Sequence, residues 1–223
     1  MAWDFAAEIH NLTNFDADST STTTSGETLA VHSTQWLTDG ARDVINVLSK
    51  SAQYIDLMTS VNTLNTTLGA TLSLTNSKVR DVSLYDGTRL QGCRRISANM
   101  RGRASDINDL MNYATTSDPV YWINAKTLET FPTPTDSNYA HVTTLSYPSV
   151  AHSDSSISSF PDEAENLVVL YAAIKATEYM MLSEEDPEVY APQLQTLKQD
   201  YQQGISFLVG GGAQQPQTAQ RGR

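Results

Sequence analysis

The residues of this 223-residue chain with the types to do chemistry are four histidines, one cysteine and a cluster of arginines. Metal sites built on histidine need two ligands on one helical face or paired Cys/His spacings. His10, His32, His141 and His152 offer neither, so each is expected to be structural or exposed. His152-Ser-Asp-Ser-Ser156 carries the residue types of a hydrolytic triad. A triad converges from separate elements, and consecutive linker residues do not. No Gly-x-Ser-x-Gly elbow accompanies it. Cys93 lies between Gly92 and Arg94, where a cation would favour the thiolate, yet a small strand cysteine is the expected reading. Asp16, Asp18 and Glu27 match three places of a calcium loop, but the glycine of the sharp turn and a good central ligand are missing. Gly210-Gly-Gly212 follows a helical pattern rather than opening one, so it is no phosphate loop. The sequence therefore predicts no catalytic constellation, no metal and no cofactor.

Charge is more informative. Net charge is −11, which disfavours general nucleic-acid binding, since binding duplex requires cations that displace counterions. Six of the 14 basic residues lie in 80–103: Arg80, Arg89, Arg94, Arg95, Arg101 and Arg103. Residues 162–200 hold nine acids against Lys175 and Lys198. Such a dipolar chain can stack on its own copies or keep one wall of an assembly negative; solvated helix faces and a basic sheet are the plain alternative. A single cysteine excludes an intramolecular disulfide and suits synthesis in a reducing cytoplasm. Residues 1–8 lack the basic start and apolar core of an export signal, and no apolar run is long enough to span a membrane.

The expected fold class is α+β: an antiparallel helical bundle with a β-rich insertion of two hairpins plus extra strands, and a disordered tail. Residues 1–66 read as the N-terminal helical part, with Trp3 on a short helix over 3–12 and a second helix over 34–49 capped by Ser33 or Thr34. Gly40 in that helix suggests a close packing contact. Residues 67–150 read as the insertion. Thr67–Thr75 alternates as one strand; Lys78–Tyr85 and Arg89–Ser97 form a hairpin about Asp86-Gly87. Ser105–Tyr113 reads as a short helix, Val120–Ile123 and Thr127–Phe131 as a second hairpin, and His141–Tyr147 as a further strand. After a polar linker at Ser153–Ser159, residues 151–209 supply two helices, about 161–182 and 186–208, the second capped by Asp186. Its expected stripe is Val189, Leu194, Leu197, Tyr201, Ile205 and Leu208. The first carries apolar residues over a surface too wide for one small core. Residues 210–223, rich in Gln, read as a flexible tail.

This order of elements, with Trp36-Leu-Thr-Asp-Gly-Ala-Arg-Asp-Val-Ile45, Tyr85-Asp-Gly87, Cys93-Arg-Arg-Ile96, Pro119-Val-Tyr-Trp-Ile123, Phe131-Pro-Thr-Pro134, Ser146-Tyr-Pro148 and Phe160-Pro-Asp-Glu163, resembles tailed-phage head-to-tail adaptor proteins over residues 34–208. These are also called connectors or, in podophages, tail tubular protein A. The resemblance implies a structural virion protein of the neck. Its copies would form a ring, commonly twelvefold, between the portal protein above and a tail or nozzle protein below. DNA would pass through the channel without specific binding. Candidate subunit-interface residues are Arg80, Arg94, Arg95, Tyr171, Tyr179, Met180 and Met181. The tail residues Gln214, Gln215, Arg221 and Arg223 are candidates for binding the portal. Three other readings stay open: another tail-completion, collar or fibre-attachment protein; a hydrolase whose site forms only in three dimensions; and a nucleic-acid-binding regulator using the 80–103 arginines.

Overall fold

A computed structural model describes residues 4–21, 27–183 and 187–210. The chain is mixed α+β and divides into two compact units, Met1–Leu57 with Pro148–Arg223, and Met58–Tyr147.

The first unit is helical. Helix α1 (Phe5–Thr13) begins where the Asp4 carboxylate accepts the Ala7 amide at 2.9 Å, and it ends at Asn14 in the left-handed conformation. Trp3, expected on this helix, lies outside the described residues. Helix α2 (Leu29–Leu48) starts several residues before the expected 34, at Thr28, whose side chain makes no capping bond. The expected caps lie inside it: Ser33 bonds back to the Leu29 carbonyl, and Thr34 meets Nδ1 of His152 at 3.1 Å. One short turn, α3 (Ala52–Ile55), follows.

Helix α5 (Asp162–Ser183) has acids throughout its first turn, as the dipole favours. Leu167–Leu170 and Ala172–Ile174 are all buried. Consecutive buried residues need cover all round, and α1, α2 and α6 (Ala191–Gly210) pack against α5. The wide apolar surface is thus largely consumed within the chain. Gly40 of α2 lies under Tyr171, where an added Cβ would sit 3.0 Å from Cδ1 of the ring. Gly204 of α6 lies against Leu167 in the same way. The stripe expected on α6 is only partly buried: Leu197 and Leu208 are buried, Leu194, Tyr201 and Ile205 are half-buried, and Val189 is exposed in a 3-10 turn (Pro187–Val189). Asp186 lies outside the described residues.

The segment expected to be a polar linker is tied down. Asp154 and His152 carbonyls accept the Phe5 and Ala6 amides at 2.9 Å, and Thr38 exchanges hydrogen bonds with Val150. Ile157 and Phe160 are buried.

The second unit holds two four-stranded sheets, β1-β8-β3-β4 and β2-β7-β6-β5. Strand β1 (Thr59–Leu64) was not expected; it pairs antiparallel with β8 (Ala140–Ser146). The single strand expected at 67–75 is instead a tight turn closed by Asn65 and Gly69, then β2 (Thr71–Ser73). Gly69 has φ +110°, which ends any continuous strand there. Strand β3 (Ser77–Tyr85) turns at Asp86-Gly87 into β4 (Leu90–Gly92), with Asp86 accepting the Thr88 and Arg89 amides.

The returning strand does not run on to Ser97. The Cys93 amide still bonds to Val82 of β3, but Arg94 bonds to Pro119, and β5 (Arg94–Arg95) pairs parallel with β6 (Val120–Asn124) in the other sheet. The chain changes sheets at Cys93, as strands at sandwich corners do. Strands β6 and β7 (Thr127–Phe131) form the second expected hairpin. Leu64, Val82, Leu84, Ala140 and Val142 of one sheet pack with Leu128 of the other, with Tyr121 and Ile123 half-buried against them. On the opposite face of β6, Val120 and Trp122 meet Ala104 and Ala114. The second sheet is therefore covered on both sides, one cover being the 98–114 segment.

The helix expected at 105–113 does not form. Residues 98–100 are a 3-10 turn and Arg101–Ala104 a single helical turn, α4, which Ser105 terminates rather than starts. The reason lies in the Asp and Asn side chains, which compete for the backbone. Asp106 accepts the Asn108 amide at 2.9 Å, and Asn112 clamps both oxygens of Asp109.

Candidate functional site

The charged residues separate by unit. Residues 58–147 hold eight basic and seven acidic residues, a balance of +1; the remaining six basic and eighteen acidic residues give −12. The net negative charge thus lies on the helical unit.

The arginines do not form one cluster. Arg80 is exposed on β3 at a bulge, where the register passes from Val79 opposite Thr144 to Asp81 opposite Thr143. An extra residue of this kind re-aims its side chain out of the ladder. Arg94 and Arg95 belong to the other sheet, and Arg94 pairs with Asp118 at 3.2 Å. Arg89 lies 4.0 Å from Asp86 and Arg103 3.7 Å from Asp109. Arg95 and Arg101 are exposed, with no ion pair among the described residues. Both strand arginines Arg94 and Arg95 are exposed, so this edge is open to a partner.

The α5 candidates are half-buried. Tyr171 packs on Gly40 and edge-on against Tyr201, with Lys175 5.9 Å from its ring centroid. Tyr179 stands in an aromatic group with Phe15, His32 and Trp36, ring centroids 5.7–6.1 Å apart. Much of both tyrosines is therefore spent inside the chain. Met180 and Met181 follow, half-buried, at the end of α5. Around them, α6 is held by polar ties. The Tyr201 hydroxyl donates to Asp43 of α2 at 2.6 Å, and Glu178 bridges Lys175 and Lys198 at 2.9 and 3.0 Å. Burial pushes Tyr201 far above the usual phenol range, and the Asp43 contact adds to it. Burial also opposes ionisation of Glu178, but the two lysines outweigh it and hold its carboxyl below the usual value.

Between α1 and α5 a hollow is lined by Glu8, Asn11, Asp162 and Glu165. Burial, then the charges of Glu165 and Asp4, raise the Glu8 carboxyl above its usual pKa. Cys93 is half-buried, and its thiol is pushed up to about 12 by burial and by Asp81, which is the reverse of an activated nucleophile. His32 stacks between Trp36 and Tyr179 with Glu27 3.9 Å from its Nε2. His10 and His152 each face a neighbour, the Phe15 carbonyl and the Thr34 hydroxyl. His141 lies beside Tyr139 in the β unit. Among the described residues no group of three or more His, Cys, Asp and Glu could hold a metal, and no helix is long and apolar enough to cross a membrane. Of the acidic 16–27 loop, residues 22–26 lie outside the described residues, as do Gln214, Gln215, Arg221 and Arg223 of the tail.

Sequence reasoning missed where apolar surface is left over. Ile107, Leu110 and Met111 are exposed by 68, 92 and 91% on the loop read as a helix. Leu182 near the end of α5 and Val189 ahead of α6 are exposed by 88 and 67%. Phe207 is exposed on α6, and it could have been found, because a large aromatic falling between stripe positions Ile205 and Leu208 has no place in the core.

No curated protein sequence matches the chain. The family model for the SU10 adaptor protein, in contrast, matches residues 8–222, nearly the whole chain. That span takes in both units, including the strands and the exposed loop of 58–147. A chain of this size and layout, matched from end to end, is a member of the SU10 adaptor protein family, the head-to-tail adaptors of phage, and its role is that of a structural adaptor protein in the virion neck.

Proposed function

We propose that this chain assembles with its own copies, commonly twelve, into a closed ring between the portal and a tail or nozzle protein, and that the helical unit faces the DNA channel. The observation that carries the reading is the family match over residues 8–222. Several features support it. A ring requires a head-to-tail contact between unlike surfaces of one chain, and the two units differ in charge, −12 against +1. A wall of net negative charge suits a channel, because it gives duplex DNA few cations to hold and lets it slide. The helical unit is proposed as an antiparallel bundle around α5, and residues 210–223 as a flexible tail that orders on the portal through Gln214, Gln215, Arg221 and Arg223. Of the exposed strand arginines, Arg94 is paired with Asp118, and Arg95, with no ion pair among the described residues, is the one placed to meet a neighbour.

The test is a reconstruction of the assembled particle with this chain located. A closed ring of copies between portal and tail is expected, with α5 and α6 nearer the axis than the sheets. A single copy per particle, or copies at the fibres or collar, would overturn the reading. Binding measurements add a second arm: retention of duplex DNA by the purified chain at about 50 mM salt, lost steeply by 200 mM, would speak for a nucleic-acid-binding regulator instead.

A further inference from the structure

We propose that the sheet β1-β8-β3-β4 continues from copy to copy, the open edge of β1 in one chain pairing antiparallel with the open edge of β4 in the next. The inference rests on the ring reading above and names one contact that would close it.

Strand direction allows this joint without any change of fold. Every neighbouring pair in the sheet is antiparallel and there are four strands, so the two edge strands run in opposite directions. Copies related by rotation about an axis along the strands then bring β4 of one against β1 of the next antiparallel. That is a contact between unlike edges, and it repeats around a ring. The other sheet lacks this property. Its β5–β6 pair is parallel, so its edge strands β2 and β5 run the same way. The same rotation would pair them parallel, over the two residues of β5.

The ladder shows which backbone groups are open. The Tyr85 amide donates to the Tyr139 carbonyl at 2.8 Å, and the Cys93 amide to the Val82 carbonyl at 2.7 Å. Ladder bonds alternate from side to side along an antiparallel strand. Strand β8 therefore turns Ala140, Val142 and Thr144 toward β1, where they oppose Leu64, Asn62 and Ser60. Val61 and Thr63 are left with their amides and carbonyls toward the outer edge. On β4, Gln91 faces β3 as Cys93 does, and Leu90 and Gly92 turn outward. No strand among the described residues pairs with either outer edge. Two open residues on each edge, spaced by two, match in one register: Val61 opposite Gly92 and Thr63 opposite Leu90.

The side chains suit that register. Val61 is exposed by 61% and Leu90 by 49%. Both lie on the face of the sheet opposite the core residues Leu64, Val82, Leu84, Ala140 and Val142. In the joint they become diagonal neighbours, and each covers apolar surface that a single copy leaves in water. Gly92 leaves room opposite Val61, since an added Cβ there would meet nothing within 4 Å. Neither β1 nor β4 carries a charge or a proline, the residues that guard an edge against pairing. Between chains of net charge −11, an uncharged edge is where approach costs least.

The experiment uses the full-length chain in assembled particles. In this register Asn62 falls opposite Gln91 at a pair without ladder bonds, where Cα atoms are about 4.5 Å apart and a disulfide fits. Within one chain the two residues sit on strands three spacings apart, about 14 Å, which is too far for a disulfide. Asn62→Cys and Gln91→Cys are introduced singly and together in a Cys93→Ser background, and the particles are oxidised. The double variant is expected to give a ladder of covalent multimers, and the single variants none. No ladder in particles whose micrographs show the ring, or multimers from either single variant, would overturn the pairing. Particles without a ring of this chain would overturn the ring reading itself, a distinguishable outcome. As a second arm, Val61→Lys with Leu90→Lys sets like charges side by side at the joint. Both positions are exposed, so the thermal melt should not change, while incorporation into particles should fall roughly tenfold. Val61→Lys with Leu90→Glu should restore it. Wild-type incorporation of the doubly lysine-substituted chain, or no recovery with the opposite charge, would overturn the pairing.

Discussion

Tyr201 illustrates how single residues hold the helical unit together. Its hydroxyl ties α6 to α2 by a 2.6 Å bond to Asp43, and it stacks edge-on against Tyr171 of α5. Its pKa is raised, so the neutral phenol is the form the fold favours. A group raised in the folded state contributes stability that is complete below its unfolded value, about 10, and is lost as pH rises beyond it. Tyr201→Phe should therefore cost about 1 kcal/mol at pH 7, less than a buried bond to a charged acceptor because solvent screens this exposed pair. The gap between wild type and variant should shrink as pH climbs past about 10. Urea melts of both proteins between neutral and strongly alkaline pH check this; a gap constant across that range would contradict the assignment. Glu178 works the other way. Its lowered pKa gives stability that is present above its ordinary value and lost on acidification.

At the scale of elements, the two hairpins differ in how well their turns suit their residues. Asp86-Gly87 is well matched, with Gly87 at φ +95°. The β6–β7 turn is not. Ala125 and Lys126 occupy it at φ +47° and +64°, a conformation that costs a side-chain-bearing residue roughly 1 kcal/mol or more. Ala125→Asn with Lys126→Gly keeps the Lys126 carbonyl that accepts the Leu74 amide, and it supplies the residues such a turn prefers. The double variant should be about 1–2 kcal/mol more stable, read as a rise in denaturant midpoint at unchanged slope. A fall in midpoint would show that the wild-type side chains make contacts worth more than the strain. The same scale shows why the 105–113 segment deceived the sequence reading. A capping serine and apolar residues three and four apart imitate a helix start, but Asp106 and Asp109 each find a nearer partner than the helix would offer.

For the whole molecule, the separation of charge is the feature with most reach. One unit carries −12 and the other +1, so whole copies of net charge −11 repel, and assembly between copies should strengthen as salt screens that repulsion. Truncation after residue 209 tests the tail. The described fold ends with α6 at Gly210, so the melt of the truncated chain should match the full chain within about 1 °C, a shift corresponding to well under 1 kcal/mol. Attachment to the portal, followed by co-sedimentation with portal rings, should fall. Equal attachment by both proteins would remove the tail from the portal contact.

How much was legible without coordinates follows from where the physics is local. The α5 boundaries, the Asp86-Gly87 turn and the alternation of β6 and β8 depend on neighbouring residues: acids at a helix start, a glycine accepting positive φ, and period-two burial. The sequence alone also determined the acid–base division of the chain and the order of elements that resembles the adaptors. Other features were out of reach because they depend on distant residues. Strand β1 is uncharged and weakly patterned, and only its pairing with β8, some eighty residues on, makes it a strand. That one stretch, 89–97, serves two sheets was decided by which neighbours Cys93 and Arg94 could find. That α5 is covered by three helices of its own chain, while Ile107, Leu110, Met111 and Phe207 stay exposed, is a property of packing. Periodicity marks which residues are apolar; only the assembled tertiary structure decides which of them run out of neighbours.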